Sequence, residues 1–263
     1  MTKKYGLVGY PLGHSFSARF FAGKFSREGI DAVYENYELP QVDGLRQLVA
    51  DTPGLSGLNV TIPHKRHVMP LLDALSPEAE AIGAVNVIRI ERGAGGVRLT
   101  GYNSDALGFS RSIAPLLRPD HHAALVLGTG GASLAVVYAL HRLGVVPHCV
   151  SRTAAHGRLT YEDLTEEVMA AHTVVVNCSP VGMFPHVDEA PQIPYQWVTS
   201  AHLLYDLVYN PEETKFMRLG RERGAVVKNG LEMLRLQAMA SWDIWNGRDK
   251  EADALPDEGK AKR

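Results

Sequence analysis

The stretch Ala123-Ala124-Leu125-Val126-Leu127-Gly128-Thr129-Gly130-Gly131-Ala132-Ser133-Leu134 decides the architecture. Five apolar residues in succession read as a buried strand, the glycines as a tight turn, and 134–143 as the helix that follows. Glycines at such a turn let the backbone approach a pyrophosphate closely, and the N-terminus of the helix faces its charge. Ser133 stands where the usual fingerprint has a third glycine, and its small side chain still permits close packing of helix on strand. A bare βα turn without a ligand accounts for the same residues, so a second signal is needed.

That signal lies at the end of the next strand, Cys149-Val150-Ser151-Arg152-Thr153. A fold that binds NAD usually carries Asp or Glu here, about 20 residues past the first glycine, to hold the ribose 2′-hydroxyl. This chain has an arginine between two hydroxyls, which suits a 2′-phosphate through charge-assisted hydrogen bonds. The expected cofactor is NADP(H), on Gly128, Thr129, Gly130, Gly131, Ala132, Ser151, Arg152 and Thr153. A solvated surface arginine is the plain alternative.

Around this unit, short apolar runs alternate with amphipathic ones, the mark of an α/β chain with mostly parallel sheets. Further strands are expected at 148–151, 173–177, 203–208 and 225–227. In the first half, strands are expected at 5–9, 32–39 and 55–61, with helices at 17–28 and 41–50. A hairpin-like pair, 84–90 and 97–102, flanks the turn residues 92–96. A helix at 104–117 leads into the polar link 118–122. The pattern gives two domains, 1–105 joined by the last helix 231–246, and a Rossmann-like 106–230, with a loose tail at 247–263.

Composition narrows the function. Hydrophobic residues make up 45% of the chain, enough for a substantial core, and the net charge of −2 gives no general attraction to nucleic acid or an anionic membrane. No segment reads as a signal peptide or a membrane span, so a cytoplasmic protein is expected. Cys149 and Cys178 read as buried, inert thiols, and the pair His121 and His122 lacks ligand spacing, so no metal is expected.

Four clusters in the first half place polar groups where strands end. Ser15 and Ser17 stand two apart in Gly9-Tyr-Pro-Leu-Gly-His-Ser15-Phe-Ser17, where their hydroxyls can face one way as a carboxylate seat. Ser17 also reads as a helix N-cap. The others are Asn59-Val-Thr61-Ile-Pro63-His-Lys65, Gly83-Ala-Val-Asn86 and Asn103-Ser104-Asp105. Singly, Lys65 reads as a surface lysine, Asn86 as a turn residue and Asp105 as a first-turn helix acid.

Together, in order and at these spacings, they resemble the shikimate dehydrogenase family over nearly the whole chain. The second half adds Asn177-x-x-Pro-x-Gly-Met183, Asp206-x-x-Tyr209-x-Pro211-x-x-Thr214 and Asn229-Gly230-x-x-Met233-Leu234-x-x-Gln237. Departures are Ala18 where the family commonly has Pro, Ser151 where it often has Asn, and Val87 and Ser104 where it often has Thr.

The resemblance implies an NADP-dependent oxidoreductase that reversibly reduces 3-dehydroshikimate to shikimate, in the pathway to chorismate and the aromatic amino acids. It implies that Ser15 and Ser17 seat the carboxylate, that Thr61, Lys65, Asn86, Asp105 and Gln237 surround the hydroxyls, and that Tyr209 approaches from the cofactor domain. Lys65 and Asp105 are the implied catalytic pair, Lys65 protonating the developing alkoxide while Asp105 orients it. Leu207 and Gly230 would lie beside the nicotinamide. A monomer or homodimer is expected. The alternatives are a quinate/shikimate dehydrogenase that uses NAD(H), and a ligand sensor that kept the fold without the chemistry.

Overall fold

A computed structural model of the chain describes residues 2–13 and 16–248. Its first half contains β1 (Lys3–Gly9), α1 (Phe16–Glu28), β2 (Ala32–Glu38), α2 (Leu45–Asp51), β3 (Leu55–Val60), β4 (Ala74–Leu75), α3 (Pro77–Ile82), β5 (Val87–Gly93) and β6 (Gly96–Tyr102). Then come α4 (Asp105–Ile113), β7 (Ala123–Leu127), α5 (Gly131–Arg142), β8 (Val146–Ser151), β9 (Leu159–Thr160), α6 (Glu166–Ala171) and β10 (Val174–Asn177). The chain closes with β11 (Leu203–Asp206), α7 (Lys215–Glu222), β12 (Val226–Lys228) and α8 (Leu231–Trp245). Two compact units result, one taking the described residues through Ser104 with 237–248, the other Asp105–Leu236.

The first unit is built on a six-stranded sheet of order β2-β1-β3-β5-β6-β4. β1 is parallel to both neighbours, with Tyr5 level with Tyr34 and Leu7 level with Asn59. β5 turns back on β3 and pairs antiparallel with β6 through a tight hairpin. Because side chains alternate across a strand, one sheet face carries Val8, Leu58, Ile88 and Leu99, packed with Leu45 and Val49 of α2. The other face is aromatic. Tyr5 stacks on Trp245 with centroids 4.8 Å apart, and Phe21 and Phe25 of α1 close around them. The Trp245 indole N–H donates to Ile88 O at 3.1 Å. A Cβ on Gly57 would lie 2.3 Å from that indole, so the bare backbone of β3 is what admits the ring. Burying Trp245 contributes roughly 2–3 kcal/mol and docks the second half of α8 on this sheet.

The second unit is a parallel sheet of order β12-β11-β10-β7-β8-β9. This is the doubly wound order, reversing between β7 and β10, and it sets every strand's carboxyl end on one edge. The strands at its centre are almost wholly apolar, as burial on both faces demands.

Several elements differ from the sequence reading. α5 starts at Gly131, three residues before 134, because extended Gly130 is its N-cap and Ser133 lies inside the first turn with its hydroxyl donating to Gly130 O at 2.6 Å. β5 starts at Val87, not 84, because α3 runs to Ile82 and Gly83 ends it in the left-handed region. The short helices α3, α6 and α7, which apolar periodicity does not reveal, each begin on a hydroxyl cap from Ser76, Thr165 or Thr214. α1 begins at Phe16, so Ser17 is in its first turn and is not the cap.

His121 of the polar link is buried: its Nδ1 accepts the Arg118 N–H at 3.1 Å and its Nε2 lies 3.3 Å from Ala201 O. Cys149 is in β8, whereas Cys178 falls one residue past β10; both are half-buried, and desolvation raises both thiols above their ordinary range. Of the tail expected from Gly247, only Gly247 and Arg248 are described, and the Arg248 guanidinium bonds the Asp243 carboxylate. Among the described residues, no helix is long and apolar enough to cross a membrane, and no group of three or more His, Cys, Asp or Glu is placed to hold a metal.

Candidate active site

In the second unit the glycine turn leaves β7 at the strand-order reversal. Gly128 has φ +112, a conformation that a side chain would strain, and its N–H donates to Val150 O of the neighbouring strand at 2.9 Å. Gly130 is exposed, and a Cβ there would meet nothing within 4 Å. No side chain caps the helix that starts at Gly131, so the backbone donors of its first turn, next to exposed Thr129 and Gly130, have no side-chain partner at the cap. These features fit the pyrophosphate of a dinucleotide.

At the end of β8, Ser151 and Arg152 stand next in the sheet. The Ser151 hydroxyl donates to Thr153 O, so it shapes the turn instead of projecting its proton outward. Arg152 is exposed and borders a cavity of 620 Å³ that Tyr161, Val181, Tyr195 and Lys215 also line. The volume is in the range of small-molecule sites, and its charged border is mixed, Arg152 and Lys215 standing with Glu162 and Glu189. Arg152 thus stands one residue past β8, at the strand end where the sequence placed it.

Farther along the same edge sits a group that sequence reasoning passed over. Asp206, fully buried, accepts hydrogen bonds from Asn177 Nδ2 at 3.0 Å, Val208 N at 3.0 Å and the Thr214 hydroxyl at 2.6 Å. Burial pushes its carboxyl up to about 6, against the lowering effect of those three donors. It ties the ends of β10 and β11 to the start of α7 and so fixes the segment carrying Leu207 and half-buried Tyr209. Leu207 N donates to Asn177 O at 2.9 Å, and Gly230 N to Val208 O at 3.1 Å. A Cβ on Gly230 would lie 2.1 Å from Leu207 O, so the backbones meet where only glycine fits. Asn177, Asp206 and Thr214 all belong to the motifs quoted above, which were the available signal. Asp105, the first residue of α4, also belongs to this unit and is buried.

In the first unit Thr61 follows β3 directly, its N–H donating to Val8 O at 2.8 Å. The turn after it passes through a cis Ile62–Pro63 peptide and is anchored by buried His64, whose Nε2 lies 2.6 Å from Leu39 O. Half-buried Lys65 follows, and its carbonyl accepts Val85 N at 2.8 Å; Asn86 O in turn accepts Val60 N at 2.8 Å. These ladder bonds hold the Thr61–Lys65 turn and the Asn86 segment side by side.

Asn86 is buried and bonded on both sides of its amide: Oδ1 accepts Ser104 N at 2.7 Å and Nδ2 donates to Ser104 Oγ at 3.0 Å. Ser104 Oγ also lies 3.2 Å from Ser241 Oγ and 3.4 Å from Gln237 Oε1. Ser17, half-buried, hydrogen-bonds the phenol of Tyr34, which donates to Asn59 Oδ1 at 2.9 Å. Thus Ser17, Thr61, Lys65, Asn86 and Gln237 all lie in this unit. Ser15 lies outside the described residues. Tyr34 and Ser241 carried no sequence signal, since nothing in linear spacing brings Ser241 to Asn59, 182 positions away.

Comparison with known proteins fits this geometry. The profile of the shikimate dehydrogenase substrate binding domain matches residues 7–88. A relative from Desulforamulus reducens named shikimate dehydrogenase (NADP(+)) is 34% identical, over 97% of this chain and 93% of the relative. Among solved structures, a chorismate mutase/shikimate 5-dehydrogenase fusion protein from Clostridium acetobutylicum superposes with a TM-score of 0.82, at 33% identity and 96% coverage of both chains. The Thermus thermophilus shikimate 5-dehydrogenase, solved with NADP(H) and shikimate, gives a TM-score of 0.81 at 30% identity, covering 95% of this chain and 98% of the other. With this likeness running from end to end, the chain belongs to the shikimate dehydrogenase family.

Proposed function

We propose that this chain is an NADP-dependent shikimate dehydrogenase, reversibly reducing 3-dehydroshikimate to shikimate. The observation that carries the reading is its likeness, over nearly the full length, to relatives named shikimate dehydrogenase (NADP(+)). The glycine turn with Arg152 at the adjacent strand end supports the cofactor, because a guanidinium matches a phosphate where an acid would repel it.

In this reading, residues 1–105 with the helix 231–246 form the substrate domain and 106–230 the cofactor domain. Bound NADP(H) gives or takes the hydride. Gly128, Thr129, Gly130, Gly131 and Ala132 hold its pyrophosphate, Ser151, Arg152 and Thr153 its 2′-phosphate end, and Leu207 and Gly230 flank the reactive ring. Ser15 and Ser17 seat the substrate carboxylate. Thr61, Lys65, Asn86, Asp105, Tyr209 and Gln237 bind the hydroxylated ring, with Lys65 and Asp105 as the catalytic groups. Reduction of the ketone leaves an alkoxide, and the Lys65 ammonium stabilises and protonates it. A set of amide, hydroxyl, ammonium and carboxylate partners satisfies a polyol and discriminates against analogues lacking a hydroxyl. The protein acts in the cytoplasm as a monomer or homodimer.

The test is NADP⁺ or NAD⁺ reduction with shikimate or quinate, followed at the absorbance of the reduced nicotinamide. Shikimate with NADP⁺ should give the highest kcat/KM of the four pairings. A preference for quinate or for NAD⁺ would redirect the assignment.

A further inference from the structure

The polar residues of the first unit form one continuous hydrogen-bonded chain, in which backbone and amide groups set most of the proton directions. The Ser241 hydroxyl donates to Gln237 O at 2.8 Å, so toward its other neighbours Ser241 Oγ is an acceptor. It receives Asn59 Nδ2 at 2.9 Å and faces the Ser104 hydroxyl at 3.2 Å. Ser104 Oγ receives Asn86 Nδ2, and Asn86 Oδ1 faces the Ser104 N–H. A flipped Asn86 amide would set donor against donor at that N–H, so its orientation is fixed. On the other arm, the proton of Tyr34 goes to Asn59 Oδ1, which leaves the phenol oxygen to accept from Ser17. Asn59, Asn86, Ser104, Gln237 and Ser241 are buried, where water does not replace a missing partner.

We infer that Tyr34 and Ser241 are positioning residues for substrate: through this chain they fix the hydrogen-bonding roles that Ser17, Asn86 and Gln237 present. The inference rests on the proposed function, because those three residues are the carboxylate- and hydroxyl-binding groups of that reading. Ser241 is the junction, the hydroxyl at which the Tyr34–Asn59 arm meets the Ser104–Asn86 arm. Its partner Asn59 is thereby occupied on both sides of the amide.

The experiment compares steady-state kinetics of the wild type, Tyr34→Phe, Ser241→Ala and the double variant. Tyr34→Phe keeps the ring stacked on Phe21, 4.9 Å away and 12° from parallel, and Ser241→Ala suits a helix, so both should fold. Each single variant should raise the KM for shikimate roughly tenfold while kcat and the KM for NADP⁺ change by less than about threefold. Since both act through Asn59, the double variant should raise KM little more than the worse single one. Unchanged KM in the singles, a multiplicative effect in the double, or an equal rise in both KM values would overturn the inference. A wild type inert toward shikimate would overturn the functional reading and this inference with it, whereas an active wild type with unaffected variants overturns this inference alone.

Discussion

The two units build their polar edges by different means. On the second, main-chain groups do most of the holding: the glycine turn, the uncapped start of α5 and the Leu207–Gly230 contact, braced by the buried carboxylate of Asp206. On the first, neutral side chains hold one another, from Ser17 through Asn59 and Ser241 to Asn86. A backbone-built edge depends on a few residues that cannot be other than they are. A side-chain network links its residues, so that the loss of one is felt by its neighbours. The difference also carries a sign in pH, since burial raises the bracing carboxyl of Asp206 to about 6, whereas the chain from Ser17 to Asn86 contains no carboxylate.

The largest effect expected is on chemistry in the first unit. Lys65→Ala should lower turnover by roughly 10²–10⁴ with a smaller change in the KM for shikimate. Near-normal turnover would reassign Lys65 to binding alone. Next, Asp206→Ala strands Asn177, Val208 N and Thr214 together and should cost about 2–4 kcal/mol in urea unfolding. A loss below about 1 kcal/mol would mean that the backbone holds this edge unaided.

The pH prediction sharpens the contrast. The folded carboxyl of Asp206 is raised to about 6 from 3.8, so the fold binds its proton more tightly than the unfolded chain does. Its contribution is therefore fully present below about pH 4 and is lost as pH rises through about 6, by up to about 3 kcal/mol. The unfolding free energy of the wild type minus that of Asp206→Asn should fall across this window. A flat difference would show that the three donors hold the carboxylate ionised.

Smaller effects follow. Arg152→Ala should raise the KM for NADP⁺ about 10- to 100-fold and that for NAD⁺ little, as loss of hydrogen bonds to a charged group implies. Equal losses for both would remove the 2′-phosphate assignment. Asn59→Ala should cost about 1–3 kcal/mol, the same at pH 5 and pH 8, since no member of its chain titrates there. A pH-dependent loss, measured by urea unfolding, would break the contrast between a neutral and a charged edge.

How much could be read in advance follows from the same distinction. β7 was legible to the residue because burial on both faces leaves an uninterrupted apolar run, and the turn after it because glycine is required at a positive φ. The place of Arg152 just past β8 was legible because the apolar run of the strand stops there. The start of α5 was misplaced because its glycines read as turn, whereas extended Gly130 is the cap and Gly131 already opens the helix. α3, α6 and α7 are too short for periodicity, although their capping hydroxyls were in view. The Tyr34–Asn59–Ser241 chain was not legible at all. It depends on the parallel register of β1 with β2 and β3, and on Trp245 settling over Gly57, neither of which local spacing encodes.

The most direct measurement supplies 3-dehydroshikimate and NADPH carrying deuterium at both C4 positions, and reads the product by mass spectrometry. Shikimate heavier by one deuterium is the predicted result. No shikimate, or shikimate without the label, would contradict hydride transfer from NADPH as the reaction of this chain.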